Sequence, residues 1–176
     1  DFETTGVAIN NFSSRTYPIE LGYILTDDHL NIIDSKDILI RWDWMNDFDN
    51  WPLDMQDAYK IHRIELADVK MNGKNIESVV GYISNSLKKA KTDLRPTIIS
   101  DNAYFETYNL HKIYNHSKKK FPFHYTSWDI NILCKSTNVE KTKEHSHRAL
   151  DDAADMYTRV VRSLEKIGYF DTLRKR

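Results

Sequence analysis

Hydrophobic residues recur along the chain with two periods, one typical of strands and the other typical of helices. Residues 19–25 and 30–42 are strand-like runs on either side of the polar stretch 26–29, which predicts a β-hairpin near the start. Residues 75–90 carry apolar side chains three and four positions apart, which predicts an amphipathic helix. The apolar positions of that helix are Ile76, Val79, Val80, Ile83 and Leu87.

The rest of the chain alternates between strand-like and helix-like segments in the same way. The further predicted elements are a loop at 43–52, a short helix at 53–62, a strand at 96–100, a helix at 103–114, a partly strand-like aromatic segment at 121–134, a polar loop at 135–146 and a helix at 147–167. Asp101 and Asn102 are both able to cap the helix at 103–114. No repeat and no Gly/Ser-rich linker divides the chain, so we predict one α/β domain over residues 1–176.

Composition and charge narrow the class of protein. The 25 Lys and Arg residues nearly balance the 26 Asp and Glu residues, and the net charge of −1 excludes a generally basic nucleic-acid-binding surface. The single cysteine, Cys134, cannot form an internal disulfide, and no apolar run approaches the roughly 20 residues of a membrane helix. We therefore expect a cytoplasmic protein with no membrane partner. Because the chain opens at Asp1 without Met or a signal segment, we also expect a processed or partial chain.

Three clusters of acidic residues and histidines carry the candidate chemistry. Asp1 and Glu3 point to the same side of an extended chain, and the turn at residues 4–6 offers backbone N–H groups. Residues 100–106 (SDNAYFE) follow a predicted strand, and residues 145–157 (HSHRALDDAADMY) open the last predicted helix. Carboxylates brought together hold divalent cations, but each cluster alone is also explained by solvated acids or by helix capping.

Taken in order, DFETTG, then DNAYFE about 100 residues later, then HRALDD resemble the motifs DxETTG, HNxxFD and HxAxxD of the DEDDh family of 3′-to-5′ exonucleases. The resemblance covers nearly the whole chain. It implies a ribonuclease H-like fold with a central mixed β-sheet flanked by helices. Because members of that family bury an apolar strand that ends in the first Asp, we expect part of the first strand to lie upstream of residue 1.

The resemblance also assigns roles to individual residues. It implies that the carboxylates of Asp1, Glu3 and Asp152 bind metal, and that Glu3 and His147 act in catalysis, with His147 as the general base. The remaining implied contacts are with the terminal nucleotide of the substrate, and they involve Thr4, Thr5, Gly6 and, within the segment from Ala58 to Ile64, His62.

The second motif departs from the family pattern at one position. Glu106 stands where the family has Asp, and its extra methylene moves the carboxylate by more than ~1 Å, which matters in a preorganised site. Two alternatives stay open: Glu106 binds metal through a shifted rotamer or a water, or Asp101 replaces it. Phe105 either stacks on a base, which is worth about 1–3 kcal/mol, or packs in the core.

The implied activity is hydrolysis of phosphodiester bonds at the 3′ ends of single-stranded DNA or RNA, with release of nucleoside 5′-monophosphates. Two Mg²⁺ or Mn²⁺ ions suit this reaction, because one lowers the pKa of the attacking water and the other stabilises the leaving oxygen. A histidine beside the ions suits removal of the water's proton. The alternatives are a nucleic-acid-binding module of the same fold with weakened or lost catalysis, and a hydrolase of small phosphodiesters. The sequence distinguishes neither DNA from RNA nor a monomer from a homodimer.

Overall fold

The computed structural model of the chain describes residues 1–6, 16–141 and 146–173. The strands are β1 (Phe2–Thr4), β2 (Pro18–Thr26), β3 (Ile32–Leu39), β4 (Ile98–Ser100) and β5 (Ser127–Asp129). The helices are α1 (Gln56–His62), α2 (Leu66–Asn72), α3 (Ile76–Lys89), α4 (Ala103–His116), α5 (Ile130–Thr137), α6 (Ala149–Lys166) and α7 (Tyr169–Leu173), with short 3₁₀ helices at Asp43–Asp47 and Leu53–Met55. Among the helices of these ranges, none is long and apolar enough to cross a membrane.

The strands pair in two sheets, one antiparallel and one parallel. β2 is the central strand of the antiparallel sheet, and Glu3 on β1 lies opposite Glu20 on β2. β4 and β5 run parallel, with Ile99 opposite Trp128. The expected α/β fold, with strands of both orientations flanked by helices, is confirmed. Within the described ranges the two sheets are separate, and residues of both line a mainly apolar cavity of about 190 Å³.

The main hydrophobic core joins the antiparallel sheet to α3 and α4, and Ile19, Val79 and Ile113 are completely buried in it. α6 packs directly on β2, because Gly22 has no side chain at the point of contact. A Cβ atom at Gly22 would lie 2.0 Å from the carbonyl carbon of Ala149. The first turn of α6 is therefore held against the strand that carries Glu20.

Most of the predicted elements form, but the short helices α2 and α5 were not predicted. The hairpin of β2 and β3 is confirmed, and so are α1, β4, α3, α4 and α6. The segment 121–134 is strand only over β5. Asp129 then starts α5 by accepting a hydrogen bond from the Asn131 N–H, so the prediction of a loop from residue 135 was wrong as far as Thr137. Residues 142–145 of that predicted loop lie outside the described residues.

Candidate active site

The first and third motifs meet, although about 150 residues separate them in the sequence. Glu3 is on β1, His147 lies just before α6, and Asp152 is in the first turn of α6. One ligand atom from each lies within 4.8 Å of the other two. Asp1 lies immediately before β1 and two residues before Glu3, so both belong to the same face of the extended chain, but Asp1 is not one of the three residues whose ligand atoms converge.

Asp152 is buried and fixes the segment in front of α6. Its Oδ1 accepts hydrogen bonds from the Ser146 N–H at 3.1 Å and from the Ser146 hydroxyl at 3.3 Å. His147 lies between these partners and the helix, with a φ of 54°, in the left-handed region that a residue with a side chain rarely adopts. The local bonds to Asp152 therefore hold His147 in a costly backbone conformation, as is common at functional sites.

Glu106 contributes a buried carboxylate from the first turn of α4. Its side chain is about 6% exposed, and its Oε2 atom has no hydrogen-bond partner among the described residues. Burial raises the pKa of Glu106 to about 7. An unpartnered buried carboxylate oxygen is costly, and a bound cation would satisfy it.

Glu3 has a perturbed pKa for a similar reason. Burial, followed by the neighbouring negative charges of Glu20, Asp152 and Glu106, raises the pKa of the Glu3 carboxyl to about 7. The carboxylates of Glu3, Glu106 and Asp152, one from each motif, are therefore close enough for electrostatic repulsion. Hard oxygen donors of this kind fit Mg²⁺ or Mn²⁺ better than a soft metal.

Asp101 is occupied by another partner. Both of its carboxylate oxygens accept hydrogen bonds from the buried guanidinium of Arg159, at 2.8 and 2.6 Å, and Lys141 lies 3.3 Å away. Burial acts to raise the pKa of Asp101, but these bonds and charges outweigh it, and the pKa is lowered. The expected capping by Asp101 is also absent, since it is Asn102 that accepts from the Phe105 N–H. Of the two carboxylates, only Glu106 therefore has a buried oxygen without a hydrogen-bond partner among the described residues.

His62 is buried at the end of α1 and lies near His147. Its Nδ1 accepts a hydrogen bond from the Ile64 N–H at 2.9 Å, which leaves the proton of the neutral ring on Nε2. Burial, with a smaller contribution from the charge of His147, lowers the pKa of His62 to about 4. At neutral pH His62 is therefore a neutral hydrogen-bond donor.

The turn after β1 offers fewer groups to a substrate than expected. The Thr5 N–H donates to the Tyr17 carbonyl, and the Thr5 hydroxyl accepts from the Tyr17 N–H, both at 2.9 Å. The Thr4 hydroxyl donates to the Gly6 carbonyl at 2.8 Å. The Thr5 N–H is therefore already bonded, because the bonding between β1 and the start of β2 continues through it, and contacts of Thr4, Thr5 and Gly6 with a terminal nucleotide stay a prediction.

Phe105 is half-buried and packs against the main core, which is the second of its two predicted roles.

Two residues of the site were missed in the sequence. Glu20 is completely buried on β2 opposite Glu3, and its side chain bonds Arg148, which follows His147. The available signal was an acidic residue inside the apolar run 19–25, since a buried strand seldom contains an unpaired acid. Arg148 stands inside the third motif at a position that the motif leaves unspecified.

No protein-family model and no curated protein matches the chain, but solved structures do. The nuclease domain of 3′hExo, a DEDDh family member bound to rAMP, matches with a TM-score of 0.69 and 19% identity, over 94% of this chain and 89% of that chain. A second match is the structure of a 3′-exonuclease that recognises the 3′ end of a histone mRNA stem-loop. It has a TM-score of 0.67 and 19% identity, over 94% of this chain and 79% of that chain.

A more distant structure agrees with these two. Cell-death related nuclease 4 (CRN-4) matches with a TM-score of 0.55 and 15% identity, over 96% of this chain and 62% of that chain. The chain therefore has the ribonuclease H-like fold of the DEDDh 3′-exonuclease domains, and the structures that it resembles are nucleases.

Proposed function

We propose that the protein is a metal-dependent 3′-to-5′ exonuclease that hydrolyses phosphodiester bonds at the ends of single-stranded RNA or DNA. The observation that supports this most is the convergence of Glu3, His147 and Asp152 within 4.8 Å, beside the unpartnered Oε2 of Glu106. Such a cluster of acids repels itself unless cations neutralise it.

Asp1, Glu3, Glu106 and Asp152 are the residues that would hold two Mg²⁺ or Mn²⁺ ions. Such ions, when bound, activate water and stabilise the charge on the leaving 3′ oxygen. His147 is placed beside the carboxylates to accept the proton of the attacking water. His62 is neutral and carries its proton on Nε2, so it can donate a hydrogen bond to the terminal nucleotide without taking part in proton transfer.

The neighbours and the charge of the chain both bear on the proposed substrate class, nucleic-acid ends. One neighbour recognises the 3′ end of a histone mRNA stem-loop, and another is bound to rAMP. The net charge of −1 provides little general attraction for nucleic acid, so we propose that metal ions supply much of the attraction for the terminal phosphates. RNA and DNA ends both remain candidate substrates.

Digestion of 5′-labelled RNA and DNA strands tests this proposal. We expect stepwise shortening from the 3′ end in Mg²⁺ or Mn²⁺, release of nucleoside 5′-monophosphates, and no reaction in EDTA or with a blocked 3′ end. Asp152→Asn should reduce the rate by about 10³-fold or more. Asp151→Asn is the matched control, because its exposed carboxylate lies one residue away on the same helix. Equal effects of the two variants, or activity in EDTA, would refute the assignment.

The second candidate is a nucleic-acid-binding module of the same fold with weakened or lost catalysis. The observation that favours it is Glu106, which extends one methylene further than the Asp of the family motif. Binding of a labelled strand without hydrolysis in either metal would support this alternative, and recovery of hydrolysis by Glu106→Asp would locate the cause at that residue.

A further inference from the structure

Glu20 is the most deeply buried carboxylate in the described part of the chain, with no measurable exposure. It lies on β2 directly opposite Glu3, so two acidic residues are cross-strand neighbours in the antiparallel sheet. Burying a charge away from water is strongly unfavourable unless partners and hydrogen bonds compensate it. The partners of Glu20 therefore indicate why an acid is tolerated there.

The hydrogen-bond donors to Glu20 that the structure describes belong to the start of α6, and Asp37 on β3 also lies beside its carboxylate. Oε1 accepts hydrogen bonds from the Arg148 side chain, at 3.0 Å from Nε and 2.7 Å from the terminal nitrogen. Oε2 accepts a hydrogen bond from the backbone N–H of Ala149 at 2.9 Å. Ala149 is the first residue of α6, and its N–H is one of the groups that a helix leaves without an internal partner.

Glu20 thus caps the N-terminus of α6 from strand β2, which is distant in the sequence. The residue in the capping position, Arg148, makes no capping hydrogen bond with its own side chain. A carboxylate at a helix N-terminus also interacts favourably with the helix dipole. Gly22, two residues further along β2, lets the backbone of Ala149 approach the strand closely. The start of α6 is therefore fixed to β2 by two separate contacts.

His147 lies between two residues that are each held by a hydrogen bond, Ser146 before it and Arg148 after it. On its far side, Ser146 bonds to Asp152, and on its near side, Arg148 bonds to Glu20. Its left-handed φ of 54° persists only if both neighbours are held. Asp152 is one turn into the same helix, so its position relative to Glu3 depends on the same anchor.

We infer that Glu20 is a positioning residue, which sets His147 and Asp152 at the correct distance from Glu3 by anchoring Arg148 and the first N–H of α6. This inference rests on the proposed function for its kinetic consequence, but its structural consequence does not depend on activity. A residue with only a general role in stability would weaken the whole fold equally. Glu20 instead controls one segment, residues 146–152.

Glu20→Gln is the informative variant, because it keeps the size of the side chain and removes its charge. Asp37→Asn is the control for losing a negative charge beside Arg148, since Asp37 lies 3.8 Å from Arg148 and beside Glu20 but is 39% exposed and bonds no helix N–H that the structure describes. In metal-free protein, amide hydrogen exchange at Ala149 and its neighbours should become at least about tenfold faster in Glu20→Gln, with little change in α3 or α4. Asp37→Asn should accelerate this exchange far less than Glu20→Gln does, because it leaves the bond from Glu20 to the Ala149 N–H in place.

The kinetic consequence is a lower kcat with little change in KM. We expect a decrease of about 10- to 100-fold in Glu20→Gln at saturating Mg²⁺, the usual cost of losing a group that orients a ligand. If Glu20→Gln does not fold, Arg148→Gln provides the same test from the other side of the bond, because the Arg148 side chain is 51% exposed.

Two results would overturn the inference. One is unchanged exchange at residues 146–152 in a folded Glu20→Gln variant. The other is a uniform rise in exchange across all helices together with an unchanged kcat, which would make Glu20 a residue of general stability only. If the wild-type protein does not degrade nucleic acid, the proposed function fails, but the exchange measurement on metal-free protein still decides the role of Glu20.

Discussion

The metal-free protein should lose stability as the pH rises from about 5 to about 7, which is unusual for a protein with many carboxylates. The perturbation combines removal of divalent ions by EDTA with a change in pH. Its cause is the burial of Glu3 and Glu106, which raises the pKa of each carboxyl to about 7. The folded protein therefore holds these two protons more tightly than the unfolded chain does.

The magnitude follows from the direction and size of these pKa changes. A carboxyl pKa that rises from 4.5 to about 7 contributes roughly 3 kcal/mol to the free energy of unfolding. That contribution is complete below the unfolded pKa and is lost as the pH rises through the folded pKa. His62 acts in the opposite sense, because its pKa falls from 6.5 to about 4, which adds roughly 3 kcal/mol as the pH rises between these values. Two carboxyls against one imidazole leave a net loss of roughly 3 kcal/mol.

Urea unfolding followed by tryptophan fluorescence at several pH values measures this loss, provided that the urea dependence (m-value) stays constant. The double variant Glu3→Gln/Glu106→Gln is the control, since it removes the two carboxyls whose pKa is raised to about 7, and stability should then rise with pH through His62. In saturating Mg²⁺ the wild-type loss should be offset, by about 2.7 kcal/mol at 100 times the Kd. A wild-type stability that rises with pH in EDTA, or a double variant that keeps the loss, would refute the reasoning.

Three further predictions concern single residues. His147→Ala should slow hydrolysis by about 10²–10⁴-fold, while isothermal titration should detect little loss of Mg²⁺ affinity; an equal loss of affinity would make His147 a ligand. Asp101→Asn should lower the free energy of unfolding by about 3 kcal/mol because Arg159 is 2% exposed, whereas Glu106→Gln should abolish turnover; a stable but inactive Asp101→Asn would reverse the two roles. Arg63→Gly should raise stability by about 1 kcal/mol in thermal unfolding, since Arg63 ends α1 with a φ of 54°, and Arg63→Ala should give no such gain.

The sequence alone indicates the parts of the fold whose apolar positions repeat over many residues. The long stripe of α6, from Ala149 to Leu164, predicts that helix to within two residues at its start. By contrast, α2 and α5 have only seven and eight residues, a length at which a helical period is easily confused with a strand-like run, although the equally short α1 was predicted. For these short segments capping contacts and tertiary packing decide the structure, as Asp129 does for α5.

For the site, the motifs locate the acids but not the residues that hold them in place. The motifs assign Glu3 and Asp152 to the candidate site, because a motif is defined by residue types at fixed spacing along the chain, and both residues match it. It cannot distinguish Glu106 from Asp101, since the difference is set by Arg159, which is 53 residues beyond Glu106 in the sequence. The contacts of Glu20 with Arg148 span 128 positions and equally leave no local pattern.

The charged residues around α6 divide into two groups according to whether a basic side chain neutralises them. Arg148 compensates Glu20 at the start of the helix, and further along Arg159 compensates Asp101 and Asp155, with its Nε 2.7 Å from Asp155. These ion pairs tie the helix to β2 and to the end of β4. Glu3 and Glu106 lack a comparable basic side-chain partner among the described contacts, and their pKa values rise accordingly. The basic side chains of Arg148 and Arg159 thus pair with the acids that fix the geometry of the helix. Charge on the remaining acids has to be neutralised by protons at low pH or, in the proposed function, by metal ions at neutral pH.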